Sequence, residues 1–208
     1  MTWHITDAQS LALIDREVQS PALSPAQYEI VRRVIYATAD FEFLELVEFS
    51  DRVLTIAAAA LASRTTILVD VPMVQVGIVP HLQKTFANPV YCGTQTITRP
   101  QKEYTEEAWG MLSLATRYPD GIFVIGHSQT ALNVLVKLVE KQHIQPALIV
   151  ATPTDFLTDQ GIKARLKQSK IPSITIRGRK GNAVVAVAII NALVDLAWQA
   201  YEQKAYPG

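Results

Sequence analysis

The sequence predicts an α/β fold, a single-domain three-layer sandwich with a mainly parallel sheet covered by helices on both faces. Three observations lead there. Short, continuously apolar runs at residues 121–126, 147–150 and 173–176 alternate with longer amphipathic stretches, the pattern of strands buried on both faces and joined by helical crossovers. The hydrophobic fraction is 49% while only 8% is aromatic, so the core is one of Ala, Val, Leu and Ile. At 208 residues the chain can fill one sizeable core, and no repeat, low-complexity run or compositional shift divides it.

Residues 7–18 carry helical spacing in Leu11, Ile14 and Val18, with Thr6 or Asp7 as cap and Ser20-Pro21 closing the helix. Ser24-Pro25 has the form of a cap followed by proline at the first helical position, and launches a helix through Tyr28, Val31, Val34 and Ile35. Thr38 and Asp40 are polar groups suited to its end. Residues 44–49 read as a short strand. Ser50-Asp51 caps a helix through Val53, Ile56 and the Ala57–Ala60 run, and residues 65–69 form a β-branched strand ending at Asp70. A helix with Met73, Val76 and Val79 follows.

Residues 86–101 are the least legible: 89–92 has strand character, and 93–99 is a polar, Thr-rich loop. Residues 103–116 predict a helix with Trp109, Leu112 and Ala115 on one face. Beyond it the alternation is regular: strand 121–126, helix 130–141 with Leu132, Leu135, Leu138 and Val139 inward, strand 147–150, helix 159–170, strand 173–176 and a closing helix 182–201. In such folds ligands bind beyond the carboxyl ends of the strands. That directs attention to Asp70, residues 126–130, 151–156 and 177–181.

Composition excludes several functions. Nineteen basic and nineteen acidic side chains cancel, so nucleic acid and membrane surfaces are not expected partners. The lone Cys92 fits a reducing compartment and reads as a small buried thiol. The amino terminus shows neither a basic leader nor a long apolar run, and the greasy stretch 183–194 is interrupted by Asn191 and stopped by Asp195. The expectation is a cytoplasmic protein. Four histidines without ligand spacing or neighbouring carboxylates predict no metal site, and His4, His81 and His143 read as surface residues.

Two constellations carry chemistry. Gly126-His127-Ser128-Gln129-Thr130 approaches a nucleophile elbow between strand and helix. Thr130 stands where the elbow wants glycine, however, and His143 falls past the end of the following helix, ~20 Å away along its axis. A ligand-binding turn is the better reading, with a serine esterase as the minor one. Arg177-Gly178-Arg179-Lys180-Gly181 joins a strand end to a helix start. Backbone amides, two glycines and three cations there suit phosphate or carboxylate. It lacks the spacing of a P-loop.

Four segments in this order are similar to the precorrin-8X methylmutase family of cobalamin biosynthesis: Arg33-Val-Ile-Tyr-Ala-Thr-Ala-Asp-Phe-Glu-Phe43, Val69-Asp-Val-Pro-Met-Val-Gln-Val-Gly-Ile78, Val124-Ile-Gly-His-Ser-Gln-Thr-Ala-Leu132, and Arg177-Gly-Arg-Lys-Gly181 with its Ala-rich final helix. The resemblance implies migration of a methyl group from C-11 to C-12 of a corrinoid, no cofactor, and a homodimer with substrate near the subunit interface. It also implies Tyr36 and His127 as catalytic candidates. The implied substrate contacts are Thr38, Asp40, Asp70, Arg99, Ser128, Thr130, Arg177, Gly178, Arg179, Lys180 and Gly181. The departures fall on the site segments. Tyr36 stands where the family has a histidine thought to be the general acid, and Gly-His-Ser-Gln-Thr-Ala-Leu replaces Gly-Asn-Ala-Pro-Thr-Ala-Leu. The family's Gly-x-Pro-Val-Gly-Phe-Val is Ala-Thr-Pro-Thr-Asp-Phe-Leu at 151–157, and its Thr-Arg-Ser element survives as Thr98-Arg99-Pro100.

Overall fold

The computed structural model describes residues 5–19, 21–96, 99, 101–154 and 161–205. Six strands, β1 (Val47–Phe49), β2 (Ile67–Val69), β3 (Val90–Cys92), β4 (Ile122–Ile125), β5 (Leu148–Ala151) and β6 (Ser173–Ile176), form one sheet in the order β1-β6-β5-β4-β2-β3. All pairings are parallel except that of β1 with β6. The mainly parallel sheet is as expected. The strands are fully buried at β2, β4, β5 and β6, which is why they read as unbroken apolar runs rather than alternating ones.

Alternation along each strand divides the core in two. Ile67, Val69, Ile122, Val124, Leu148 and Val150 face helices α1 (Ile5–Val18), α2 (Pro25–Thr38), α4 (Val53–Ala62), α5 (Pro72–Leu82) and α9 (Ala183–Ala205). Leu68, Phe123, Ile125, Ile149 and Ala151 face α6 (Glu106–Arg117), α7 (Gln129–Glu140) and α8 (Gly161–Gln168). The three layers follow directly. Burial of some fifty apolar side chains, at ~1.5–3 kcal/mol for each large one, is the main force holding them.

Helix α2 begins as its sequence dictates. Ser24 caps it, Gln27 completes the capping box and Pro25 fills the first turn. It ends at Ala39, left-handed at φ 54°, whose N–H donates to the Ile35 carbonyl. The strand expected at 44–49 is only half there. Residues Phe43–Leu46 coil into a short helix, α3, and pairing starts at Val47, opposite Ile176. β6 ends at Ile176, so residues 44–46 have no strand to pair with, and a turn satisfies their amides instead.

Two further expectations are corrected. On α5, Val74, Ile78 and Leu82 point inward, while Met73 and Val76 are 64% and 70% exposed. On α6 the buried face is Ala108, Met111, Leu114 and Ala115, with Trp109 and Leu112 half-buried. The rotation has a cause: a Cβ on Gly110 would stand 2.3 Å from the Gly93 carbonyl oxygen, so the glycine must face that backbone. Helix α9 runs 23 residues, well past Asp195. It is long and apolar enough by composition to cross a membrane, but it is the central helix of one face and more than half of that span is buried in the core. Asp195 continues the helix because Arg33 and His81 neutralise it.

Candidate active site

The carboxyl ends of β2, β4, β5 and β6 lie along one edge, and β1, being antiparallel, brings its amino end to the same edge. The Arg177 N–H donates to the Leu46 carbonyl at 2.7 Å, tying the β6–α9 turn to α3. Lys180 then reaches across to the loop that follows α2. Its Nζ lies 2.6 Å from Asp40 Oδ2 and 3.0 Å from Glu42 Oε2. The hydrogen bond with Lys180 holds the Asp40 carboxyl below its ordinary value, and the two carboxylates raise the Lys180 ammonium. The bridge therefore stays charged over the whole neutral range.

Thr38 and Asp40 are a satisfied helix end as well as site residues. Thr38 Oγ1 donates to Val34 O and accepts from the Asp40 N–H, and Asp40 Oδ1 accepts from the Glu42 N–H. Both polar positions of the Thr38 hydroxyl are thus used in capping the end of α2. Lys180 is likewise not a spare cation. Of the three cations in the turn, Arg177 donates to the Glu45 carbonyl at 3.1 Å, and Arg179 is exposed with no carboxylate partner among the described residues. Gly178 and Gly181 do take backbone forms that favour glycine, at φ 78° and 133°. A Cβ on Gly181 would stand 2.4 Å from the Thr152 carbonyl oxygen.

Asp70 is the largest correction. It is fully buried, so it cannot touch a ligand. Its two oxygens accept the N–H groups of Gly126, His127 and Ser128 at 3.0, 2.8 and 2.8 Å. Burial pushes its pKa up against the pull of these three amides. The amide nest at 126–128 is filled by the protein's own side chain. Gly126 makes this packing possible: a Cβ there would collide with Val74 and with Ala183 at the start of α9, at 2.7 and 2.9 Å.

That clamp presents His127 outward as an exposed side chain. Ser128 points the other way. It is the N-cap of α7, 8% exposed, with Oγ accepting from the Ala131 N–H and lying 2.8 Å from Thr130 Oγ1. Thr130 Oγ1 is also 2.7 Å from Thr105 Oγ1, the cap of α6. At φ −95°, Ser128 lacks the strained backbone of an elbow, and His143 follows the far end of α7. The esterase reading fails on geometry, and Ser128 and Thr130 are capping residues that join α6 to α7.

Tyr36 is 41% exposed near the end of α2, and its hydroxyl donates to Asp7 on α1 at 2.7 Å. That hydrogen bond to a carboxylate raises its pKa, the wrong direction for an acid. No hydrogen bond links it to His127 or Arg179. Arg99 is exposed beyond β3, while Thr98, Pro100 and residues 155–157 lie outside the described residues, as does His4. His81 is not the surface residue expected: its Nε2 lies 2.6 Å from Asp195.

Sequence reasoning missed Lys163 and Thr152. Lys163 on α8 donates to the carbonyls of Ile176 and Gly178 at 2.8 and 3.1 Å, and buried Thr152 donates to the Asn182 carbonyl at 2.9 Å. Both hold the basic turn in place. The sequence does not single out Lys163, and marks Thr152 only as part of the segment 151–156, because the main-chain groups these bonds reach lie 13 to 30 positions away. The exposed Met73, Val76 and Val184 add apolar surface where α5 and α9 begin, beside Gly126. The edge thus combines a stapled cationic turn, an outward histidine and apolar side chains.

The order and direction of the strands define a doubly wound α/β protein, whose ligand edge is the carboxyl end of its parallel strands. The family described as precorrin-8X methylmutase matches residues 6–196. A cobalt-precorrin-8 methylmutase of Synechocystis is 36% identical, with 92% of this chain and 94% of that protein covered. One from Methanocaldococcus jannaschii is also 36% identical, over 81% and 79% of the two chains. The crystal structure of a precorrin-8X methylmutase from Thermus thermophilus superposes with a TM-score of 0.84 at 29% identity, covering 95% of this chain and 99% of that one. This chain belongs to the precorrin-8X methylmutase family.

Proposed function

We propose that the chain is the isomerase of cobalamin biosynthesis that moves a methyl group from C-11 to C-12 of precorrin-8X or cobalt-precorrin-8, giving hydrogenobyrinate or cobyrinate. Family membership across residues 6–196 carries the reading, and the site suits the chemistry. A macrocycle fringed with acetate and propionate groups needs cations held in place and an apolar surface. Arg177, Arg179 and the glycine amides of the turn supply the first, and Met73, Val76 and Val184 the second. The rearrangement itself needs a proton delivered to a positioned ring.

His127 is the proton donor in this reading. Its backbone is fixed by Asp70 and its side chain is free to face a ligand, whereas Tyr36 spends its proton on Asp7. Ordinary pKa values of ~6.5 for His and ~10 for Tyr differ by about 3.5 units, ~5 kcal/mol for complete transfer, part of which enters the barrier. Incubation with precorrin-8X and with cobalt-precorrin-8, followed by absorbance and mass, tests the function. Absence of product where an ordinary family member turns over would overturn it.

The Tyr36–Asp7 bond also favours a second reading, a corrinoid carrier without turnover. Tight one-to-one binding of hydrogenobyrinate with no conversion of either substrate would establish it. We infer further that the protein acts in the cytoplasm as a homodimer. Exposed apolar side chains beside the site support a partner there, and sedimentation giving only a 23.0 kDa species would refute the dimer.

A further inference from the structure

At the opposite end of the sheet, where β6 begins and antiparallel β1 ends, lies a cleft of about 540 Å³, within the range of small-molecule sites. Glu48, Phe49, Ser50, Asp51, Arg52 and Ile56 form one wall, and Lys167, Lys170, Ser173 and Thr175 the other. The catalytic edge contributes nothing to it.

Charge there is not balanced. Lys167 pairs with Glu48 at 2.6 Å, and Thr175 Oγ1 sits 3.4 Å from the same carboxylate. That leaves Arg52 and Lys170 against exposed Asp51, with no ion pair to either cation among the described residues. The floor has two hydroxyls without an acceptor among the described residues. Ser173 is 2% exposed, lines the cleft, and its Oγ has no hydrogen bond among the described residues. Ser50 Oγ accepts from the Ser173 N–H at 2.8 Å, which leaves its own proton free.

Helix α4, ten residues long, starts at this cleft without a side-chain cap; its Val53 N–H is taken by the Ser50 carbonyl, and the positive end of its dipole lies toward the cleft. A guanidinium, an ammonium and two hydroxyls together offer more donors than the two oxygens of a carboxylate can use. A tetrahedral dianion uses them better. Phe49 and Ile56 supply apolar contact beside it.

We propose that this cleft is a second ligand site, remote from the corrinoid site, that takes a small phosphate monoester carrying an apolar group. Arg52, Lys170, Ser50 and Ser173 bind the phosphate, and Phe49 with Ile56 covers the apolar part.

Calorimetric titration of the full chain with phenyl phosphate, inorganic phosphate and benzoate tests it. Phenyl phosphate should saturate at one per chain and bind more tightly than either of the others. Arg52→Asn with Lys170→Asn should weaken it by about tenfold or more, the scale of lost charge-assisted bonds. Asn keeps the left-handed backbone that both positions have, at φ 53° and 61°, so folding is preserved. Ser173→Ala should weaken it about tenfold, as for one hydrogen bond to a charged group, and Arg179→Gln at the other edge should leave it unchanged.

No saturation, wild-type affinity in the double variant, or loss of binding in Arg179→Gln would overturn the site. Benzoate binding as tightly as phenyl phosphate would overturn the phosphate assignment. Inorganic phosphate binding as tightly would overturn the apolar contact.

Discussion

At the scale of single residues, proton chemistry turns on Tyr36, Asp70 and His127. Replacing His127 by Gln should lower kcat by about a hundredfold or more, since general acids contribute ~10²–10⁴. An unchanged rate would show that the position takes no part. Asp70→Asn removes one of two acceptor oxygens facing three amides. A buried N–H left unpaired costs ~1–3 kcal/mol, so the variant should unfold earlier in urea by about that amount and lose kcat more than it raises KM. Backbone form was legible in the sequence where it met a motif, as at Gly178 and Gly181. Direction was not: Asp70 sits where ligands bind, and only the coordinates show its oxygens turned inward.

At the scale of elements, the basic turn is held from three sides, by Lys163 on its carbonyls, Lys180 on Asp40 and Gly181 against Thr152. Gly181→Ala forces a Cβ into the Thr152 carbonyl at a φ of 133°. It should cost about 2–3 kcal/mol in thermal melts and raise KM for the corrinoid without shifting the pH profile. Short elements were the ones misjudged from sequence. α3 and the 44–46 coil depend on where β6 stops, and the face of α6 on a glycine contact 17 positions earlier in the chain, at Gly93. Periodicity within one segment holds no record of either. The long, regular βα units from residue 121 onward came out as read because burial on both faces leaves one pattern only.

At the scale of the whole molecule, the apolar layer of α1, α2, α5 and α9 is crossed by a chain of charges. Tyr28 and Arg32 meet Asp15; Arg32 and Arg33 meet Glu29; Arg33 and His81 meet Asp195. Burial and the bond to Asp15 push the Tyr28 hydroxyl up to about 12. Burial also pushes Asp195 up, but the His81 and Arg33 hydrogen bonds outweigh it and hold the carboxyl below 3.8. A lowered native pKa contributes stability that is present above the unfolded value and lost as pH falls through the native one. The Asp195 contribution to stability should therefore be lost as pH falls below about 4, and Asp195→Asn should flatten the acid limb of the stability curve. Arg33→Met leaves a buried carboxylate short of a partner and should cost about 3 kcal/mol in urea unfolding.

The pairing of β1 with β6 has a consequence for how the chain is made. Ser50 and Ser173 bond across 123 positions, and α2 packs on α9, the last helix. At ~5–20 residues per second of synthesis, the amino-terminal third waits roughly ten seconds for the strand and helix that cover it. During that interval Ile30, Val31, Val34 and Ile35, all buried at the end, lack the α9 surface that covers them. A ribosome-bound chain halted before Ser173 should hold its first fifty residues open to protease and to chaperones, and release of the full chain should close them in one step.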